Sequence, residues 1–149
     1  APRIAVAALN PHAGEGGLLG GEERRIIAPA IALARRRLDR DQGRERRGAT
    51  LVGPVVADVV FRRARAGEFD GVVAMYHDQA TIAVKLDGPG ASVNVTLGLP
   101  FVRTSVDHGV AYDVAIRAGS RPDASPLCAA LDLAARLTML RRPSIRVTR

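Results

Sequence analysis

Three short, nearly all-apolar runs, RIAVAAL (3–9), ATLVGP (49–54) and DGVVAMY (70–76), each give way to polar turn residues, and they constrain the fold more than any other feature. Runs of this length suit strands covered on both faces. The stretches between them have helical spacing. From Gly21 to about Asp39, apolar residues recur at Ile27, Ile31, Ala34 and Leu38, with Glu22 and Glu23 in a first turn where the helix dipole favours anions. ADVVFRRARAG (57–67) has the period of a short helix ended by glycine. Alternating strands and helices predict an α/β fold, a mostly parallel sheet flanked by helices. Further along, SVNVTLG (92–98) and FVRTS (101–105) are strand-like, and 124–140 is an amphipathic helix. RDQGRERRG (40–48) is expected to be an exposed loop, and SIRVTR (144–149) a tail that pairs or frays.

At 149 residues and 47% hydrophobic content, the length suits one core and is short for two ordinary domains. No apolar run reaches the roughly 18 residues of a membrane span, and the start, APRIAVAALN, lacks the features of a secretory leader. A cytoplasmic protein that is not membrane-bound is expected. The single cysteine, Cys128, lies in PLCAALDLAARL, where a small apolar thiol is expected to pack into a core. The net charge of +7 raises the question of nucleic acid. The cations are almost all arginines, clustered at 35–37, 44–47 and 62–65 among acidic residues, with very few aromatic rings for base stacking. A solvated arginine-rich surface accounts for them, and no nucleic-acid partner is expected. Lys85 is the sole lysine, as a site needing a compact ammonium would retain.

The polar residues sit where open α/β sheets collect ligands, just beyond the carboxyl ends of strands. His12 follows the first strand, Asp58 the second, and His77 and Asp78 the third. All three histidines, His12, His77 and His108, fall in such loops and none in a predicted helix. Singly, each suits a hydrogen-bonded loop histidine; together, they suit a site for a divalent first-row metal ion. Asp78 suits either a ligand, a group orienting an imidazole, or a helix cap. The glycines of AGEGGLLGGEE (13–23) suit a phosphate cradle or merely a tight turn, and match neither common nucleotide fingerprint. Lys85, Asn94 and Arg103, from consecutive elements, either converge on an anionic substrate or are a surface lysine, a strand-edge asparagine and an exposed arginine.

LNPHAGEGG (9–17), VGPVVAD (52–58), AMYHDQ (74–79) and VNVTLGLPFVRTSVDHG (93–109) resemble, in order and spacing, the 4-hydroxythreonine-4-phosphate dehydrogenase family and its relatives acting on phosphorylated threonate or erythronate. The resemblance runs from the first residue to about Leu137. It implies half of an isocitrate- and isopropylmalate-dehydrogenase-like fold, with residues 1–149 as the C-terminal portion of a longer dehydrogenase. It also implies active sites at a homodimer interface and one divalent ion (Zn, Mg, Mn or Co) held by three histidines. His12 and His77 match two of those ligands; the other belongs to an N-terminal half outside this chain. Lys85, Asn94 and Arg103 match substrate-binding positions, and Asp58 and Asp78 match carboxylates close to metal and substrate, so that Asp58, Asp78 and Lys85 are the expected catalytic residues. His108, Gly109 and Asp113 match the loop that holds NAD or NADP. Where relatives have AGxGxA after that aspartate, this chain has AIRAGSR, with Ile116 and Ala118 at the glycine positions, so side chains enter a loop that glycine keeps open. The implied reaction is NAD-linked oxidation, with decarboxylation, of a small phosphorylated hydroxy acid.

Overall fold

The computed structural model describes residues 1–41, 48–88, 92–109, 112–117, 119 and 121–140. Most of the loop expected at 40–48, Ala118 and the tail at 144–149 lie outside the described residues. Where the length suggested one core, the chain forms two compact units, 1–83 and 84–149, divided within one helix.

In the first unit, β1 (Arg3–Ala7), β2 (Thr50–Val55) and β3 (Gly71–Val73) form a parallel sheet in the order β2-β1-β3. The strands expected at 3–9 and 70–76 are each shorter than their apolar runs. In both, the chain leaves the ladder early to enter a polar turn. The pleat of β1 divides the core between two faces. Ala5 and Ala7 pack with Val55, Val60 and Phe69 on one face; Val6 packs with Ile27 and Ile31 on the other. These faces are covered by α2 (Ala57–Arg65) and α1 (Ala28–Asp41), which a π-type turn at Glu23–Ile27 precedes. Ile27 and Ile31, one turn apart, are buried as their spacing predicts. The Arg35 guanidinium donates to the Leu51 carbonyl oxygen, tying α1 to edge strand β2. Arg3 and Arg63 flank the Phe69 ring at 5.5 and 5.1 Å, so part of the arginine surface covers the core rather than merely facing water.

Helix α3 (His77–Leu86) contains the unit boundary. In the second unit, β4 (Val93–Thr96) and β5 (Arg103–Val106) form an antiparallel ribbon, followed by α4 (Tyr112–Ile116) and α5 (Ser125–Leu140). Thr104 Oγ1 donates to the Ala130 carbonyl oxygen of α5 at 2.8 Å. Pro126 and Ala130, one helical turn apart, are the buried positions of α5. Cys128 lies between them on another face and is exposed, contrary to the expectation that it packs in a core. Among the described residues, no helix is long and apolar enough to cross a membrane.

Candidate functional site

Parallel strands put their carboxyl ends on one edge of the sheet, and there the first unit gathers its chemistry. His12 follows the central strand β1, Asp58 stands in the first turn of α2 just after β2, and His77 and Asp78 open α3 after β3. His77 therefore sits in a helix, against the expectation that no histidine does. His77 Nδ1 lies 2.7 Å from Asp78 Oδ1, a contact that fixes the ring and leaves Nε2 on its far side. His12 Nδ1 lies 3.6 Å from Glu15 Oε2, beyond hydrogen-bond length. The side chains of His12 and His77 are 68% and 80% exposed, so both rings are open to a ligand.

The turn carrying His12 has an unusual backbone. His12, Ala13, Gly14, Glu15 and Gly16 have φ of 51, 56, 81, 44 and 69°, a run of left-handed residues of which three bear side chains. Each non-glycine residue so placed costs about 1–2 kcal/mol, and such strain persists only where surrounding structure enforces it. Beside this turn stands Glu23, 6% exposed and the only buried charged residue among those described. Its Oε1 accepts the backbone N–H groups of Leu9 and Asn10 at 2.9 and 2.7 Å, and its Oε2 accepts Asn10 Nδ2 at 2.9 Å. Asn10 Nδ2 also donates to Glu22 Oε2 at 2.7 Å. Hydrogen bonds from the Asn10 backbone, then its side chain, hold the Glu23 carboxyl below its ordinary value. A Cβ at Gly14 would lie 2.7 Å from the Gly20 carbonyl oxygen and 2.9 Å from Glu23 Oε2, so Gly14 makes room for this carboxylate. Sequence reasoning missed Glu23, because two glutamates opening a helix are accounted for by its dipole.

The second unit has its own cavity of about 470 Å³. Lys85 from the last turn of α3, Asp107, His108, Gly109 and Asp123 line it, so Lys85 and two expected cofactor residues share one space. His108 Nδ1 lies 2.9 Å from the Gly109 carbonyl oxygen. The Ser125 N–H and hydroxyl both donate to Asp123, holding its carboxyl below the ordinary range, with a smaller contribution from His108. Asp113 lies in α4. Ile116, at one of the substituted glycine positions, is 82% exposed and does not line the cavity. Asn94 and Arg103 line it neither. In the β4–β5 register Asn94 faces Ser105 and Thr96 faces Arg103, which places Asn94 and Arg103 on one face of the ribbon, opposite the Thr104 face tied to α5. Arg103 Nη1 donates to Thr96 Oγ1 at 2.9 Å. The three expected substrate residues thus divide into Lys85 in the cavity and an Asn94–Arg103 pair on the ribbon.

As a metal centre, the sheet edge is compatible but incomplete. Two accessible imidazoles on adjacent strand ends, one backed by a carboxylate, are the right donors for a divalent ion. Among the described residues, no three His, Cys, Asp or Glu side chains are grouped so as to hold one.

Comparison with known proteins agrees with this arrangement. The chain is 57% identical over 136 residues to a 4-hydroxythreonine-4-phosphate dehydrogenase of Beijerinckia indica, a match covering 91% of this chain and 37% of that protein. It is 54% identical over 114 residues to a D-threonate 4-phosphate dehydrogenase of Salmonella typhimurium, covering 76% of this chain and 32% of the other. The crystal structure of 4-hydroxythreonine-4-phosphate dehydrogenase from Klebsiella pneumoniae superposes with a TM-score of 0.70 at 46% identity, covering 89% of this chain and 37% of that one. The chain therefore spans about a third of the length of these relatives, and it shares their isocitrate dehydrogenase-like α/β fold. The family model for the pyridoxal phosphate biosynthetic protein PdxA matches residues 1–134, a span holding every residue placed above at the sheet edge, cavity and ribbon, and the chain belongs to that family.

Proposed function

We propose that this chain is the metal- and substrate-holding portion of an NAD-dependent dehydrogenase that oxidises 4-hydroxythreonine 4-phosphate, with decarboxylation, in pyridoxal phosphate synthesis. The observation carrying this reading is that His12 and His77 follow adjacent parallel strands at one edge of the sheet, within the span that the family model matches. His12 and His77 would hold a divalent ion, with a further ligand from outside this chain. When bound, the ion would lower the pKa of a substrate hydroxyl, and a nicotinamide would take up the hydride.

The chain's own residues do the rest. Asp78 contacts His77 Nδ1 and would leave Nε2 as the ring nitrogen offered to the ion. Asp58, exposed at the same edge, serves as a proton acceptor for the hydroxyl. Lys85, Asn94 and Arg103 hold the phosphate and carboxylate, where cations stabilise the bound anion without taking part in proton transfer. His108, Gly109 and Asp113 contact the cofactor. Asp107 and Asp123 line the same cavity as His108, where carboxylates suit a ribose hydroxyl. The protein works in the cytoplasm as a homodimer with shared sites.

The test is reduction of NAD and NADP by this chain together with the portion that supplies the further ligand, with 4-hydroxythreonine 4-phosphate, threonate 4-phosphate or erythronate 4-phosphate as substrate and added divalent metal. Metal-dependent NADH formation greatest with the first substrate is expected; no turnover on any of the three would overturn the reading.

A further inference from the structure

Three consecutive residues leaving β1, namely Ala8, Leu9 and Asn10, are held by side chains from two elements, the π-type turn before α1 and the histidine-bearing α3. From one side, buried Glu23 accepts the N–H groups of Leu9 and Asn10 and the Asn10 side-chain amide. From the other, Gln79 Nε2 donates to the Ala8 carbonyl oxygen at 2.9 Å while its Oε1 accepts the Met75 N–H at 2.7 Å. Asn10 is two residues from His12. Met75 and Gln79 each lie two residues from His77. A short covalent path therefore joins each clamp to one imidazole, and the clamps hold adjacent residues, Gln79 at Ala8 and Glu23 at Leu9 and Asn10.

We propose that Glu23 and Gln79 are positioning residues that fix the spacing between His12 and His77 by fastening both turns to the exit of β1. The inference rests on the reading of those histidines as metal ligands. Glu23 holds the residues that lead into the left-handed turn, so without its three bonds the strained run at 12–16 loses its buried anchor and keeps only backbone bonds such as Ala13 N–H to the Asn10 carbonyl oxygen. The chemistry of the clamp is specific to a carboxylate. In Glu23→Gln, an amide oxygen in the place of Oε1 would put its NH₂ against Asn10 Nδ2, donor facing donor. Turning the Asn10 amide over to relieve this would set its oxygen against Glu22 Oε2. The Gln79→Met substitution keeps the side chain's length and removes both of its hydrogen bonds.

Co²⁺ titration of the chain, followed by its visible absorption, tests the proposal alongside Val60→Ala, a core truncation in the cluster on the α2 face of the sheet. Glu23→Gln and Gln79→Met are each expected to weaken Co²⁺ binding by about 10–100-fold. Val60→Ala, though it lowers the melting temperature, should leave the affinity unchanged. Unchanged affinity in the clamp variants, or an equal loss in Val60→Ala, would overturn the proposal. A second measurement needs no metal. In the unmodified chain, NMR should show slow exchange of the Leu9 and Asn10 amides and the left-handed coupling pattern at 12–16; Glu23→Gln should lose both, and retention of both would again overturn it. If His12→Ala leaves Co²⁺ affinity untouched, the ligand reading has failed instead, and the metal-free spectra alone decide whether Glu23 shapes the turn.

Discussion

Gly14 has a φ of 81° and its missing Cβ leaves the space that Glu23 Oε2 and the Gly20 carbonyl oxygen occupy. Gly14→Ala is therefore expected to cost about 1–3 kcal/mol, through left-handed strain and displacement of a buried carboxylate. Urea unfolding will check this, with Gly16→Ala as the comparison: its φ is 69° but its Cβ would meet nothing within 4 Å, so it should cost less. Only part of this residue-scale picture was legible in the sequence. The histidines could be placed after strands because apolar runs mark the strands. The left-handed turn could not, because Ala13 and Glu15 carry no local preference for that conformation, and the buried carboxylate beside it lies eight residues beyond Glu15. Cys128 was misjudged for a related reason, since α5 buries the stripe through Pro126 and Ala130 and its apolar composition does not reveal which stripe faces the ribbon.

At the scale of elements, β1 to β3 and the helices α1 and α2 follow from alternation of strand-like and helical patterns, and the parallel order β2-β1-β3 puts three loops at one edge. The ribbon β4–β5 was equally legible as two strand-like runs, but its register was not, and register decides that Asn94 and Arg103 share a face while Lys85 lines the cavity. The bond from Thr104 Oγ1 to the Ala130 carbonyl oxygen ties that ribbon to α5. Thr104→Val removes the donor while keeping the shape, and should destabilise the protein by about 0.5–1.5 kcal/mol. Denaturant unfolding will measure the loss. Hydrogen exchange should then rise in β5 and α5, and an equal rise throughout β1 to β3 would contradict a local role.

The whole molecule carries a pH signature with a definite sign. Glu23 and Glu68 are held below the ordinary carboxylate value in the folded state, Glu23 by Asn10 and Glu68 by Arg63. Folded-state values lower than unfolded ones mean that this stabilisation is fully present above the unfolded glutamate value of about 4.3 and disappears as pH falls through the lower folded values. Melting temperature should be flat near neutrality and fall below about pH 4.5, and Glu23→Gln should make the acid limb shallower; an unaltered limb would show that Glu23 does not contribute. The central claim is that one ion bridges the strand ends bearing His12 and His77, and isothermal titration with Zn²⁺ tests it most directly. The account predicts that His12→Ala and His77→Ala each weaken binding at least about tenfold, and that the double variant loses little beyond either single change, because both remove the same site. Unchanged Zn²⁺ affinity in both single variants would contradict it.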